Sequence, residues 1–213
     1  MRVLAATKNR GKLRELQAIL EPLGWTIEAD PAYVDPPEGD RSYHENAAAK
    51  ARALRAQLRE RGLTVAVLGD DSGLEVAALG GRPGVLSARY GGETLDWRAR
   101  RARLLSELGP QSERSARFVC ALHLSDATGV ELSVERDVRG TIASAERGEG
   151  GFSYDAIFTS EGESRTFAEL SAEEKNARSH RGRAVRELVA AYEASGESRA
   201  VPAEQGNKTR GGM

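Results

Sequence analysis

Short apolar runs alternate along the chain with longer amphipathic stretches. Residues 2 to 6, RVLAA, form a compact apolar run that predicts a strand. Over about Lys12 to Leu23, the residues Leu13, Leu16, Ile19 and Leu20 recur at helical spacing. Trp25 to Ala29 reads as a second strand. A proline-rich loop, DPAYVDPPEGDRS, leads to a long helix over about Tyr43 to Arg61, ended by Gly62. Ser42 and Glu45 have the spacing of a capping box at its start. TVAVLGDDSGL predicts a buried strand running into an acidic turn, and a glycine-rich loop, ALGGRPGVLSARYGG, precedes a helix over Leu95 to Leu108. ARFVCALHLSD and VELSVERDVRG predict a hairpin, which Thr141 to Glu146 extends. The glycine loop RGEGGFSYD is followed by a strand, AIFTS. The last helical region spans about Ala172 to Ala194 and is opened by a second capping box, Ser171 with Glu174. Beyond Ser195 the apolar pattern ends, so residues 195–213 are expected to be a disordered tail. Strands and helices alternating at both ends, with a hairpin between, predict a single α/β domain over residues 1–194 with a mixed sheet.

Composition narrows the function classes. A chain of 213 residues is long enough to bury a core. Its 31 Lys and Arg balance 32 Asp and Glu, so no global charge draws it to nucleic acid or a membrane surface. The apolar N-terminal run is too short for a signal peptide and no stretch approaches a membrane span, which predicts a cytoplasmic protein. Cys120 is the only cysteine, sits in an apolar run, and reads as a buried inert thiol; nothing suggests a zinc site.

Candidate chemistry begins at LAATKNRGKLRELQAIL. Strand, polar glycine turn and helix is the layout of a phosphate site. The spacing from Ala6 to Gly11 and Lys12 approaches a Walker A loop, but Leu13 stands where a hydroxyl should hold magnesium. A failed P-loop, a different phosphate site and a basic helix start all remain open on these residues alone. In GDDSG, neighbouring strand residues face opposite ways, so Asp70 and Asp71 do different work. One would bind Mg²⁺ or activate water and the other would brace the turn; the alternative is that both merely end a strand. In GEGGFSYD, Phe152 and Tyr154 alternate with Ser153 and Asp155, which suits a flat ligand or, equally simply, two core aromatics. In KNARSHR, Lys175 and His180 would lie about 140° apart on a continuous helix. A break near Arg178 and Ser179 is therefore predicted, against the alternative of a solvated basic face. Glu45 is either a helix cap or a metal ligand, and Glu38, in a loop, is freer to reach a metal.

Together these segments resemble the inosine triphosphate pyrophosphatases, which hydrolyse ITP, dITP and XTP to monophosphate and pyrophosphate. The resemblance rests on TKNRGKLRE, ENAAAKA, GDDSGLEV, GGRPGVLSARYGG, ARFVCAL, GEGGFSYDAIF and AELSAEEKNARSHRGRA, in order over about residues 2 to 193. It implies an elongated two-lobed α/β fold with a central cleft, a homodimer and dependence on Mg²⁺. It implies that Thr7, Lys8, Asn9, Arg10, Gly11 and Lys12 hold the triphosphate. Asp71 matches the catalytic carboxylate and metal ligand, Ser72 a substrate contact, and Glu38, with Glu45 in reserve, the second metal ligand. Phe152, Ser153, Tyr154, Asp155, Lys175, His180 and Arg181 match the nucleobase pocket. The chain departs from the family pattern in PPEGDRSYHENA, at Ser153, usually glycine, and at Ala156, usually proline. Rival readings are a pyrophosphatase for dTTP or UTP, as in Maf-type proteins, and a non-catalytic nucleotide sensor.

Overall fold

The computed structural model describes residues 1–37, 42–110 and 113–199. Among them the strands are β1 (Arg2–Ala6), β2 (Thr26–Ala29), β3 (Ala66–Val76), β4 (Ser115–Ser125), β5 (Glu131–Ile142) and β6 (Phe158–Ser160). The helices are α1 (Arg10–Leu20), α2 (Tyr43–Glu60), α3 (Trp97–Leu108), α4 (Ala172–Arg178) and α5 (His180–Arg199). The strands form one mixed sheet in the order β2-β1-β3-β4-β5-β6, parallel from β2 to β3 and antiparallel from β3 to β6. None of the described helices is long and apolar enough to cross a membrane.

Two main cores divide the fold. One packs Leu16 and Leu20 of α1 and Leu188 of α5 against Val3, Cys120 and Leu122 of the sheet. The other, farther along β3, joins Leu74 and Val76 to Leu104 of α3, Phe118, Phe158 and Phe167. On the opposite face from α1, α2 lies close over β3: a Cβ on Gly69 would come within 2.0 Å of the Ala47 carbonyl oxygen. A side chain there would force the helix off the strand.

The acidic pair does not lie in a turn, as the sequence predicts. β3 continues to Val76, because Leu74 and Val76 have buried sites to fill and β4 pairs with it over Val67–Val76. β1, by contrast, pairs only with Ala66–Gly69. Beyond Gly69 that edge of β3 is free of β1, where the chain leaves β1 to start α1, until Pro83 bridges it at Glu75. Both predicted capping boxes are formed. The predicted helix break is also present: Ser179 is extended (φ −66, ψ 157) between α4 and α5. α5 then runs to Arg199, so it takes in the first residues of the expected tail. The rest of that tail lies outside the described residues.

Candidate active site

A cleft of about 350 Å³ opens beside the free edge of β3. Residues from several separate segments line it. The β1–α1 turn contributes Thr7, Lys8, Asn9 and Lys12. β3 contributes Asp71 and Ser72, and α2 contributes Lys50. The loop before β6 contributes Phe152, Ser153 and Asp155, and the α4–α5 junction contributes Lys175, His180 and Arg181. Five cations and three carboxylates (Asp35, Asp71 and Asp155) therefore face it, an excess that suits an anion.

The start of α1 is organised by Asn9, whose Oδ1 accepts from the Gly11 and Lys12 amides at 2.9 and 3.1 Å. The Thr7 hydroxyl accepts from the Asn9 amide at 3.1 Å. This N-cap fixes the turn and engages two of the donors that a bare helix start would offer to phosphate. Lys8 makes no ion pair among the described residues, whereas Lys12 reaches the Asp70 carboxylate at 2.7 Å.

The two adjacent aspartates face opposite sides of the sheet. Asp70 is held by Lys12 and by Arg181 Nε at 2.7 Å. Burial alone would raise its carboxyl; the charges of Arg181 and Lys12 outweigh that and hold it well below the usual carboxylate range. Asp71 points toward α2, where Lys50 Nζ donates at 2.7 Å to one oxygen and Asn46 Nδ2 at 3.1 Å to the other.

At the other end, charges interlock. Lys175 reaches both Asp155 and Glu15 at 2.5 Å, and Arg181 donates to Glu15 at 2.5 Å and to the Ser72 hydroxyl at 2.9 Å. Burial works against every one of these charges. Arg181 and Lys175 outweigh it at Glu15 and keep that group more acidic than usual, whereas burial and the nearby Glu15 leave Asp155 less acidic than usual. Lys175 and Arg181 lie 5.2 and 5.8 Å from the centre of the Phe152 ring, within cation–π range. His180 stacks on Phe118, with ring centres 4.7 Å apart and planes 7° from parallel. Burial, then the Arg181 and Lys175 charges, push its pKa well below the usual histidine value, so its ring is neutral at pH 7.

The structure brings most of the expected residues into one cleft, with four exceptions. Tyr154 is fully buried in the second core, edge-on to Trp97, and its hydroxyl donates to the Ser87 carbonyl at 3.0 Å. It is a core aromatic; Ser153, between it and Phe152, has a positive φ of 61°, which breaks the alternation and sends the two rings to different places. Arg10 is exposed and does not line the cleft. Gly11 supports the cleft from behind, since a Cβ there would stand 2.8 Å from the Phe152 ring. Glu45 serves as the cap: its carboxylate accepts from the Ser42 amide and hydroxyl, and it lines a separate depression with His44, Arg52 and His123. Glu38 lies outside the described residues.

Sequence reasoning missed Lys50, Asn46, Glu15, Asp35 and Trp97. Asn46 and Lys50 are four apart on α2, and both sit on a face otherwise filled by Ala47, Ala51 and Leu54. A lysine in an apolar stripe was the readable signal. Glu15 lies three residues after Lys12, on the same side of α1.

Comparison with known proteins places these features in context. The model of the Ham1 family matches residues 3–191. A dITP/XTP pyrophosphatase of an Exiguobacterium species is 45% identical over 193 residues, 89% of this chain and 96% of its own. The solved HAM1 protein of Coxiella burnetii superposes with a TM-score of 0.78 at 35% identity, covering 91% of this chain and 99% of that one. A Mycobacterium abscessus nucleoside-triphosphatase, also described as a dITP/XTP pyrophosphatase, gives 0.65 at 42% identity, covering 88% and 97%.

Proposed function

The chain belongs to the Ham1 family, and from that premise we propose that it hydrolyses dITP, ITP and XTP to the monophosphate and pyrophosphate, clearing deaminated purines from the nucleotide pool. One observation carries the reading: a single cleft joins the cationic β1–α1 turn, the Asp71 carboxylate and the charged pocket around Phe152. The first end suits a triphosphate and the last a purine, with a carboxylate between them.

The donor set fits a hard divalent cation. Asp71 and Asp35 offer carboxylate oxygens on the cleft. Among the described residues no three His, Cys, Asp or Glu side chains gather into a preformed cage. Mg²⁺ needs none, since it commonly takes one or two carboxylates together with substrate phosphates. When bound, Mg²⁺ neutralises phosphate charge and polarises the bond to be broken.

The chain's residues do the rest. Asn46 and Lys50 fix the Asp71 carboxylate so that it accepts a proton from a water attacking the α-phosphorus. Lys8, Lys12 and Lys50 stabilise the triphosphate and the departing pyrophosphate. Of the three Lys175 N–H donors, Asp155 and Glu15 engage two, which leaves one for the 6-oxo group of hypoxanthine or xanthine. The 6-amino group of adenine would oppose it donor to donor. Assembly as a homodimer in the cytoplasm belongs to the same reading, and sedimentation velocity tests the dimer.

The test is a panel of dITP, XTP, GTP, ATP, dTTP and UTP with Mg²⁺, with products resolved by chromatography. Turnover of dITP and XTP, with the others nearly untouched, is expected. Preference for dTTP or UTP would overturn the substrate assignment, and no turnover of any would overturn the enzyme.

A further inference from the structure

Ser153 is the only non-glycine residue with positive φ among the described residues, at +61°, and it lines the cleft. A left-handed conformation is strained for serine and easy for glycine. The surrounding loop imposes it. Arg101 of α3 donates to the Ser153 carbonyl at 2.8 Å and to Glu146 at 3.0 Å. On either side, the Asp155 carboxylate accepts from the Phe152 amide at 2.7 Å, and the Asp155 amide donates to the Phe152 carbonyl at 3.2 Å. The backbone is thus held whatever side chain residue 153 carries. A serine kept at such a position, on the wall of a binding cleft, points to work done by its side chain.

Resting on the pyrophosphatase reading above, we propose that the Ser153 hydroxyl is a specificity determinant that hydrogen-bonds the substituent at the purine 2-position. The 6-oxo edge falls to the cations of α4 and α5, which cluster at Phe152. Ser153 is tied instead to α3 and contributes an uncharged hydroxyl. A hydroxyl donates to the 2-oxo group of xanthine, whereas hypoxanthine has only hydrogen there. Ser153 therefore favours XTP over ITP.

Steady-state kinetics of the full chain with Mg²⁺, on XTP and ITP in parallel, test this with two variants. In Ser153→Ala, which keeps the strained Cβ and removes the hydroxyl, the ratio of kcat/KM for XTP to that for ITP falls about five- to tenfold. In Ser153→Gly the ratio falls equally, while Tm rises by about 2–4 °C as the strain is released. An unchanged ratio in Ser153→Ala would overturn the proposal, as would a fall seen only in Ser153→Gly, which would trace selectivity to the Cβ. If the parent protein turned over neither nucleotide, the pyrophosphatase reading itself would fail.

Discussion

Asp70 and Asp71 are neighbours in one strand and share a chemistry, yet the molecule uses them in opposite ways. Asp70 faces α1 and α5 and is gripped by Lys12 and Arg181 in a closed network. Asp71 faces α2 and lines the cleft. Its partners, Lys50 and Asn46, set its orientation and leave it at the surface of the cavity. The difference teaches that the period of a strand is enough to separate a carboxylate closed into ion pairs from one that faces a cleft. It also shows where opposition to burial is needed: Asp70 ties three segments of chain together only because two cations offset the cost of burying it.

The sharpest way to break this contrast is at Asp71. Asp71→Asn is expected to lower kcat on dITP about 10⁴-fold, or about 5.5 kcal/mol in the barrier, because the proposed mechanism loses its proton acceptor and a metal ligand together. Its Tm should stay within about 3 °C of the parent. Asp70→Asn should invert the pattern. Leaving Arg181 and Lys12 undercompensated should cost about 3–5 kcal/mol of stability, read as a fall in Tm of about 6–20 °C. Equal thermal stability of the two variants would remove the distinction.

Smaller effects sharpen the picture around the pair. Gly11→Ala puts a Cβ 2.8 Å from the Phe152 ring, so the ring must move. KM for dITP is expected to rise about tenfold, about 1.4 kcal/mol, with little change in kcat. Acid should weaken the fold in two windows. His180 and His123 both have pKa values lowered in the fold, first by burial. Their unfolded forms take up protons below about pH 6.5 while the folded forms do not, so stability falls as pH drops from there, by at most about 1.4 kcal/mol per pH unit for each. His180→Phe should flatten that slope in denaturant titrations between pH 7 and 5. Asp70 and Glu15, lowered in the fold by Arg181 against the pull of burial, add a second loss below about pH 4.

Much of this was legible in the sequence because it is local. The capping boxes at Ser42 and Ser171, the break before His180 and the hairpin of β4 and β5 all follow from residues a few positions apart. The opposite facing of the two aspartates follows from strand period alone. What was not legible depends on long-range pairing. The extension of β3 past the acidic pair required β4 as a partner, since a Gly-Asp-Asp-Ser-Gly segment has no strand signal of its own. Glu15 became part of the site only when α1 met Arg181, 166 residues away in sequence. Tyr154 was misplaced because the positive φ of Ser153, between it and Phe152, ends the alternation.

The central claim is that water, positioned by Asp71, attacks the α-phosphorus. Hydrolysis of dITP by the parent protein in oxygen-18 water, with Mg²⁺ and mass analysis of the products, tests it most directly. The account predicts one labelled oxygen in the monophosphate and unlabelled pyrophosphate. Label in the pyrophosphate, or release of orthophosphate, would contradict it.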